Sequence, residues 1–168
     1  MQDTLPIHFA PLQGYTEAIY RNAHDAFFGG VDTYYTPFVR LEKGNFRRRD
    51  VRGIEPENNG VPHLIPQLIA SSAEKAEVIL SLFIEKGYQE VDINLGCPFP
   101  LLAKRHNGSG ILPYPEEVKA LLSIVTRYPQ ISFSVKMRLG WEQPDECLAL
   151  APIPVSYTHL TLPTILRV

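Results

Sequence analysis

The stretch Val91-Asp92-Ile93-Asn94-Leu95-Gly96-Cys97-Pro98 decides the fold. Apolar residues at alternate positions (Val91, Ile93, Leu95) give the period of a buried strand, and Gly96 and Pro98 stop it. Asp92, Asn94 and Cys97 therefore crowd the strand and its carboxyl end. In parallel α/β proteins that end is where ligands bind. A strand that carries Asn and Cys to its rim is built to present them to something.

On either side the chain switches to a helical period. Upstream, Ser71 and Glu74 form a capping-box pattern, and Ala76, Ile79, Leu80 and Phe83 follow as one apolar face ending at Gly87. Downstream, Pro115 suits a first helical turn, with Val118, Leu121, Leu122 and Val125 as the stripe. Ile131 to Leu139 then reads as another strand, closed by Gly140-Trp141. Toward the N-terminus, Ile7 to Pro11 reads as a first strand. Thr16 caps a helix whose stripe is Ile19, Tyr20, Ala23 and Phe27 and whose stop is Gly29-Gly30. Thr33 to Val39 and Leu64 to Ile69 read as strands two and three, with Pro37 and Pro66 placing them near a rim. Strands alternating with helices imply an α/β chain with a parallel sheet and right-handed crossovers.

Composition narrows the function classes. With 168 residues, 45% hydrophobic and 20% charged, the chain has the makings of one soluble domain with a core. A net charge of -2 does not announce a nucleic-acid binder, although local patches still count. The two cysteines, Cys97 and Cys147, have no metal-ligand spacing, so no metal site is expected and a reducing cytoplasm suits them. Neither a signal peptide nor a bilayer-length apolar run is visible, so no membrane is expected.

The strand ends collect polar side chains: Gln13, Gln67, Asn94, Cys97, Lys136 and Arg138. Lys136 and Arg138 are two apart and share one strand face, where burial is costly unless an anion or another polar group meets them. Singly, each has a plain structural reading: an inert buried thiol, a snorkelling lysine, loop-capping amides. Their convergence on one set of strand ends favours a ligand site.

Four segments carry a resemblance. Ala10-Pro11-Leu12-Gln13-Gly14-Tyr15-Thr16, Pro66-Gln67-Leu68, Asp92-Ile93-Asn94-Leu95-Gly96-Cys97-Pro98 and Val135-Lys136-Met137-Arg138-Leu139-Gly140-Trp141 together resemble the tRNA-dihydrouridine synthase family, from about Ile7 to about Gln143. The resemblance implies an FMN enzyme on a TIM barrel that uses NADPH to reduce the 5,6 double bond of uridines in tRNA, in the cytoplasm, with no protein partner specified. It implies that Pro11 and Leu12 line the flavin through their backbone, Leu12 standing where the family more often has Met. Gln67 and Lys136 would bond the flavin ring, Asn94 and Arg138 would hold the uracil or its nucleotide, and Cys97 would be the general acid. That last role is chemically sound, because an ordinary thiol, with a pKa near ~8.5, is mostly protonated at neutral pH. The uridine would have to leave its stack to be reached. Asn107-Gly108-Ser109-Gly110 resembles the family's glycine-rich segment, and Lys104 and Arg105 beside it are candidate RNA contacts.

The expected fold is an incomplete (β/α)8 TIM barrel of about five parallel strands with covering helices, where closure takes eight. Residues 1–154 are assigned to the N-terminal portion of an FMN-binding catalytic domain. Val155-Ser156-Tyr157-Thr158-His159-Leu160 reads as one frame of a sequencing adapter, so residues 155–168 are expected to be a non-native tail. His159 is accordingly not a catalytic histidine, and the truncated chain is expected to be at best a weak flavin binder. The basic run Lys43, Arg47, Arg48, Arg49, Arg52 is a candidate tRNA contact or simply an exposed charged loop. The alternatives are an FMN barrel reductase of free pyrimidines, dihydroorotate-dehydrogenase-like, and a non-catalytic RNA-binding or inert fragment.

Overall fold

The computed structural model describes residues 5–157, 160 and 161, in two compact units, Met1–Gln67 and Leu68–Val168. His159 lies outside the described residues. It is a mixed α/β protein whose main strands pair in parallel.

In the first unit, β1 (His8–Phe9) is followed by α1 (Ala18–Phe27) and β2 (Thr33–Tyr35). An antiparallel hairpin, β3 (Leu41–Glu42) and β4 (Asn45–Phe46), leads to α2 (Arg48–Gly53) and then to β5 (Leu64–Ile65). β2 lies between β1 and β5, parallel to both, so all three strand exits share one edge. The expected second strand stops at Tyr35, short of Pro37, and Thr36 Oγ1 accepts from Gln67 N at 3.0 Å. The expected third strand is broken at Pro66, which has no N–H for a ladder, leaving β6 (Gln67–Leu68) at the boundary of the units.

The inward face of α1 is not the one its apolar stripe indicates. Ile19 and Phe27 are 82% and 84% exposed, Tyr20 and Ala23 are exposed too, and the buried side chain is Arg21. The reason is the donor count of a guanidinium. Arg21 Nη1 donates to the Thr16 carbonyl at 2.6 Å, and Nη2 to the Gly53 carbonyl at 2.8 Å and to Asn59 Oδ1 at 2.5 Å. Turned outward, the same arginine would leave three acceptors without a partner it now supplies. Next to it, His24 packs on Phe9 at 4.5 Å and meets Tyr34 Oη at 3.0 Å. Burial, with Asp25 nearby, pushes the Tyr34 phenol up. Thr16 is not the cap of α1. Glu17 occupies that place without a side-chain bond, while Thr16 Oγ1 turns back to Leu12.

The second unit opens with α3 (Ala73–Glu85). Its cap is Ser72, one residue later than the capping-box reading, and accepts from Lys75 N; Gly87 (φ 83) follows the helix as its stop. The Ser72 hydroxyl and its own backbone N–H hold the Glu74 carboxyl below the usual range. The expected stripe is buried: Ala76, Ile79, Leu80 and Phe83 are all 0% exposed. Each large side chain among them contributes roughly 1.5–3 kcal/mol by leaving water. β7 (Glu90–Leu95) follows, then α4 (Pro100–Ala103) and a short 3-10 turn at Gly108–Ile111. The helix begun by Pro115 runs as α5 (Pro115–Leu122) and, past a break at Ser123, α6 (Ile124–Arg127). β8 (Ser132–Met137) lies parallel to β7, and beyond it come α7 (Cys147–Leu150) and α8 (Pro152–Val155). The final pairing joins β9 (Leu160–Thr161) to β8 in parallel, within the stretch expected to be a non-native tail. No described helix is long and apolar enough to cross a membrane.

The β7–β8 register positions the site. Partners run from Glu90↔Ser132 to Leu95↔Met137, one for one. One face therefore carries Val91, Ile93, Leu95, Phe133, Val135 and Met137, and the other carries Asp92, Asn94, Ser134 and Lys136. The polar face is not a solvent face. Asp92 is 0% exposed and accepts from Ser134 Oγ at 2.6 Å. Parallel strands buried on both sides are normally apolar throughout, so a buried polar face calls for a functional explanation.

Candidate active site

Cys97 follows β7 on a short exit segment that is tied down atom by atom. Asn94 Oδ1 accepts from Gly96 N at 3.0 Å and from Cys97 N at 2.9 Å. Arg138 Nε donates to the Gly96 carbonyl at 2.9 Å. The Cys97 carbonyl accepts from Ser109 N and from Ser109 Oγ, both at 3.0 Å. All four backbone polar groups of Gly96 and Cys97 are thus held by residues 94, 109 and 138. This fixes where the half-buried Cys97 thiol starts from, while Cys97 itself forms no disulfide.

Gly108 completes the clamp. Its φ of 60° is the left-handed region, and a Cβ there would lie 2.5 Å from the Cys97 carbonyl oxygen and 2.9 Å from Cys97 Cβ. Only a residue without a side chain allows the two backbones to pass this closely. The loop bearing it is tied to the start of α5 by His106, which meets Glu117 Oε2 at 2.7 Å and stacks on Tyr114 at 4.1 Å.

Of the residues expected at the site, Asn94, Cys97, Lys136 and Arg138 come together in the second unit. Asn94 and Lys136 are register partners. Asn94 does the loop-capping work that was its plain reading, which commits its carbonyl to the turn. Arg138 lies just past β8 and reaches the cysteine segment through Nε, while the Lys136 ammonium and the Arg138 Nη groups have no hydrogen-bond or ion-pair partner among the described residues. Two cations at one strand end, half-buried and short of anions, favour an electron-rich ligand.

Pro11, Leu12 and Gln67 belong to the first unit, at the carboxyl exits of β1 and β5. Leu12 N donates to Thr16 Oγ1 at 2.9 Å, and its carbonyl accepts from Tyr15 N at 3.0 Å and Thr16 N at 3.1 Å. Its own amide groups are thereby spent in the turn, and it presents a side chain that is 58% exposed. Gln67 is 1% exposed, and its carbonyl accepts from Val39 N at 2.8 Å.

The basic run does not form one uniform loop. Arg47 makes a two-pronged pair with the buried Asp50, Nε to Oδ2 at 2.8 Å and Nη2 to Oδ1 at 2.7 Å. It is a structural residue at the N-cap position of α2, with its side chain held by Asp50 in the first turn. Burial, and then Arg47 beside it, draws the Arg40 guanidinium down. Lys43, Arg48, Arg49 and Arg52 remain exposed. Among the described residues no three His, Cys, Asp or Glu side chains group as a metal site.

Sequence reading missed two parts of the clamp, the Arg138–Gly96 hydrogen bond and the two hydrogen bonds from Ser109 to the Cys97 carbonyl. The small residues at 108–110 were the available signal for the second. Nothing local marks the first, since it joins positions 42 residues apart.

Comparison with known proteins gives a consistent set. The family model for dihydrouridine synthase matches residues 8–153. A "probable tRNA-dihydrouridine synthase 1" from Synechocystis is 29% identical over 139 residues, covering 79% of this chain and 37% of that protein. A tRNA-dihydrouridine(16) synthase from Pseudomonas putida is 30% identical over 156 residues, covering 88% and 48%. A tRNA-dihydrouridine synthase B from Pasteurella multocida is 24% identical over 148 residues, covering 88% and 44%. The chain thus spans less than half the length of the curated relatives it matches.

Proposed function

Because this chain belongs to the dihydrouridine synthase family, we propose that it carries the flavin-side half of a tRNA-uridine reductase site, on part of a (β/α)8 barrel. The observation that supports this most is the immobilised Cys97 segment beside Lys136 and Arg138 at the exit of β8, whose Nζ and Nη groups have no partner among the described residues. FMN, reduced by NADPH, would supply hydride to C6 of a tRNA uridine. The second unit's own residues fit such a group: a half-buried lysine and arginine at one strand exit.

In this reading the residues divide the work. In the second unit Lys136 would hydrogen-bond the flavin ring; in the first, Gln67 would do the same and Pro11 and Leu12 would line the flavin through their backbone. Arg138 serves two ends: Nε fixes the cysteine segment and the Nη groups meet the uracil or its phosphate. Asn94 holds the segment through Oδ1. The Cys97 thiol gives its proton to C5 of uracil, and the thiolate left behind takes a proton from solvent. A clamped backbone matters for this step, since a donor must be within hydrogen-bond reach of the carbon it protonates. Exposed Lys43, Arg48, Arg49 and Arg52 would bind RNA phosphate, with Lys104 and Arg105 near the cysteine. The proposed domain takes residues 1–154 and leaves the stretch from Val155 outside it, in keeping with a family match that stops at residue 153.

The test, made in a version extended to the length of the curated relatives, is titration with FMN followed by turnover on unmodified tRNA. Lys136→Met should weaken FMN binding, and Cys97→Ala should abolish uridine reduction while tRNA still binds. Reduction of free orotate or uracil in preference to tRNA would point instead to a free-pyrimidine reductase. Binding of tRNA with no turnover in the unsubstituted protein would point to an RNA-binding module.

A further inference from the structure

Immediately beyond Cys97 the chain turns apolar side chains outward. Pro98, Phe99, Pro100 and Leu101 are exposed in succession, Phe99 by 50% and Leu101 by 65%. A single apolar residue on a surface needs no explanation, but four in a row beside a candidate site do. The segment is also stiff. Pro98 and Pro100 each fix a backbone angle. The Phe99 carbonyl accepts from Leu102 N and Ala103 N, both at 2.9 Å, and Lys104 N donates to the Pro100 carbonyl at 3.0 Å. On the inner side Leu102 and Ala103 are buried, and a Cβ on Gly110 would overlap the Ala103 backbone, so α4 is seated directly on the glycine-rich turn. Phe99 is thus held out in water on a rigid mount, and that mount rests on the same turn that braces Cys97.

Cations follow it. Lys104 and Arg105, at the far end of α4, are exposed and have no ion-pair partner among the described residues, while the Glu117 carboxylate of α5 is engaged by His106. An apolar ring on a stiff mount with free cations behind it complements a nucleic-acid strand, the ring meeting bases and the cations meeting phosphates. We propose that Phe99 is a wedge that enters the RNA stack in the place the target uridine leaves, with Lys104 and Arg105 holding adjoining phosphates. The choice of RNA rests on the proposed function; the exposed, rigid ring does not. Moving a base out of its stack costs the contacts on both of its faces. A phenyl ring in the gap restores part of those contacts and keeps the gap from closing. Two residues of chain span at most about 7 Å, so one short segment sets both the ring that fills the gap and the thiol that receives the base. Alanine in this place would leave the gap open.

The experiment uses the same extended version and two short RNAs of equal length and charge. One is an oligoadenylate with a single central uridine, whose bases stack; the other is an oligouridylate, whose bases barely do. Phosphate contacts are then common to both probes and only the stack differs. Phe99→Ala should weaken binding of the adenylate probe by about tenfold and leave oligouridylate binding nearly unchanged. Phe99→Trp should keep the adenylate affinity. In a Trp141→Phe background its emission should be quenched by that probe and not by oligouridylate. Lys104→Ala with Arg105→Ala should instead weaken both probes alike and flatten their salt dependence. Equal losses on both probes in Phe99→Ala, no loss on either, or a Phe99→Trp emission that ignores the adenylate probe would overturn the wedge. Unchanged binding in the Lys104, Arg105 double variant would overturn the phosphate contacts. Reduction of tRNA uridine by the unsubstituted protein would then leave the proposed function standing. An unsubstituted protein that binds neither probe also overturns the wedge, and FMN binding that falls in Lys136→Met decides the flavin reading separately.

Discussion

Replacing Gly108 by alanine tests the cysteine clamp most directly. Two terms act against the variant. Holding alanine at φ 60° costs about 1–2 kcal/mol relative to glycine. The added Cβ would also fall 2.5 Å from the Cys97 carbonyl oxygen and 3.0 Å from Cys97 N, both backbone atoms that cannot swing aside. Relieving such an overlap costs roughly 1–3 kcal/mol. The lower chain entropy of the unfolded variant returns about 0.5–1 kcal/mol, leaving a net loss of roughly 1–4.5 kcal/mol. Gly87→Ala is the control. Its φ is 83° but no atom lies within 4 Å of the added carbon, so it meets the conformational term alone. Both positions lie in the second unit with the only tryptophan, Trp141, so urea unfolding followed by its fluorescence compares them on one footing. In a Cys147→Ser background, the rate of Cys97 alkylation reports the thiol itself. Gly108→Ala should be about 1–3 kcal/mol less stable than Gly87→Ala and should alkylate at a changed rate. Equal stability losses with an unchanged alkylation rate would refute the clamp.

Other outcomes follow from features away from the cysteine. The backbone N–H groups of Trp141, Gln143 and Glu142 hold the Glu146 carboxyl below the usual range. A depressed carboxyl stabilises above its unfolded range and stops doing so as the pH falls through its folded value. Trp141 emission should therefore be flat near neutrality and change in acid, and Glu146→Gln should remove that step. Arg21→Met should destabilise the first unit by about 2–4 kcal/mol, and Arg21→Lys should restore only part of it, as circular dichroism in urea would show. On the proposed function, Arg48→Ala with Arg49→Ala should weaken tRNA binding and flatten its salt dependence, whereas Arg47→Ala should lower the melting temperature, because its guanidinium is held by Asp50. Ile19→Glu with Phe27→Glu should leave stability within about 0.5 kcal/mol and reduce aggregation, since both side chains lie on the surface.

What the sequence displayed, and what it hid, divides by range. The alternation in Val91 to Leu95 and the spacing of Ala76 to Phe83 are local signals, and both elements stand where those signals put them. Cap positions missed by one residue, since Ser71 and Ser72 are chemically equivalent and only the helix entry distinguishes them. Helix α1 misled for a deeper reason. Its apolar period was real, but the acceptors that draw Arg21 inward lie at Gly53 and Asn59, more than thirty residues on. The polar strand ends pointed to Asn94, Cys97, Lys136 and Arg138 as a group. That Asn94 and Arg138 act on the cysteine's own backbone depends on a register no single segment encodes.

That register makes the site a proofreader of the sheet. Arg138 reaches the Gly96 carbonyl only if β8 sits where Glu90 meets Ser132 and Leu95 meets Met137. A slip of one residue would send Lys136 and Ser134 to the opposite side and pull the guanidinium a full residue rise, about 3.3 Å, out of reach. Misaligned molecules could keep their helices and much of their strand content, and spectra of secondary structure would pass them as native. A chemical probe of Cys97 would not, so the fraction of thiol with the clamped reactivity counts correctly assembled molecules in any preparation.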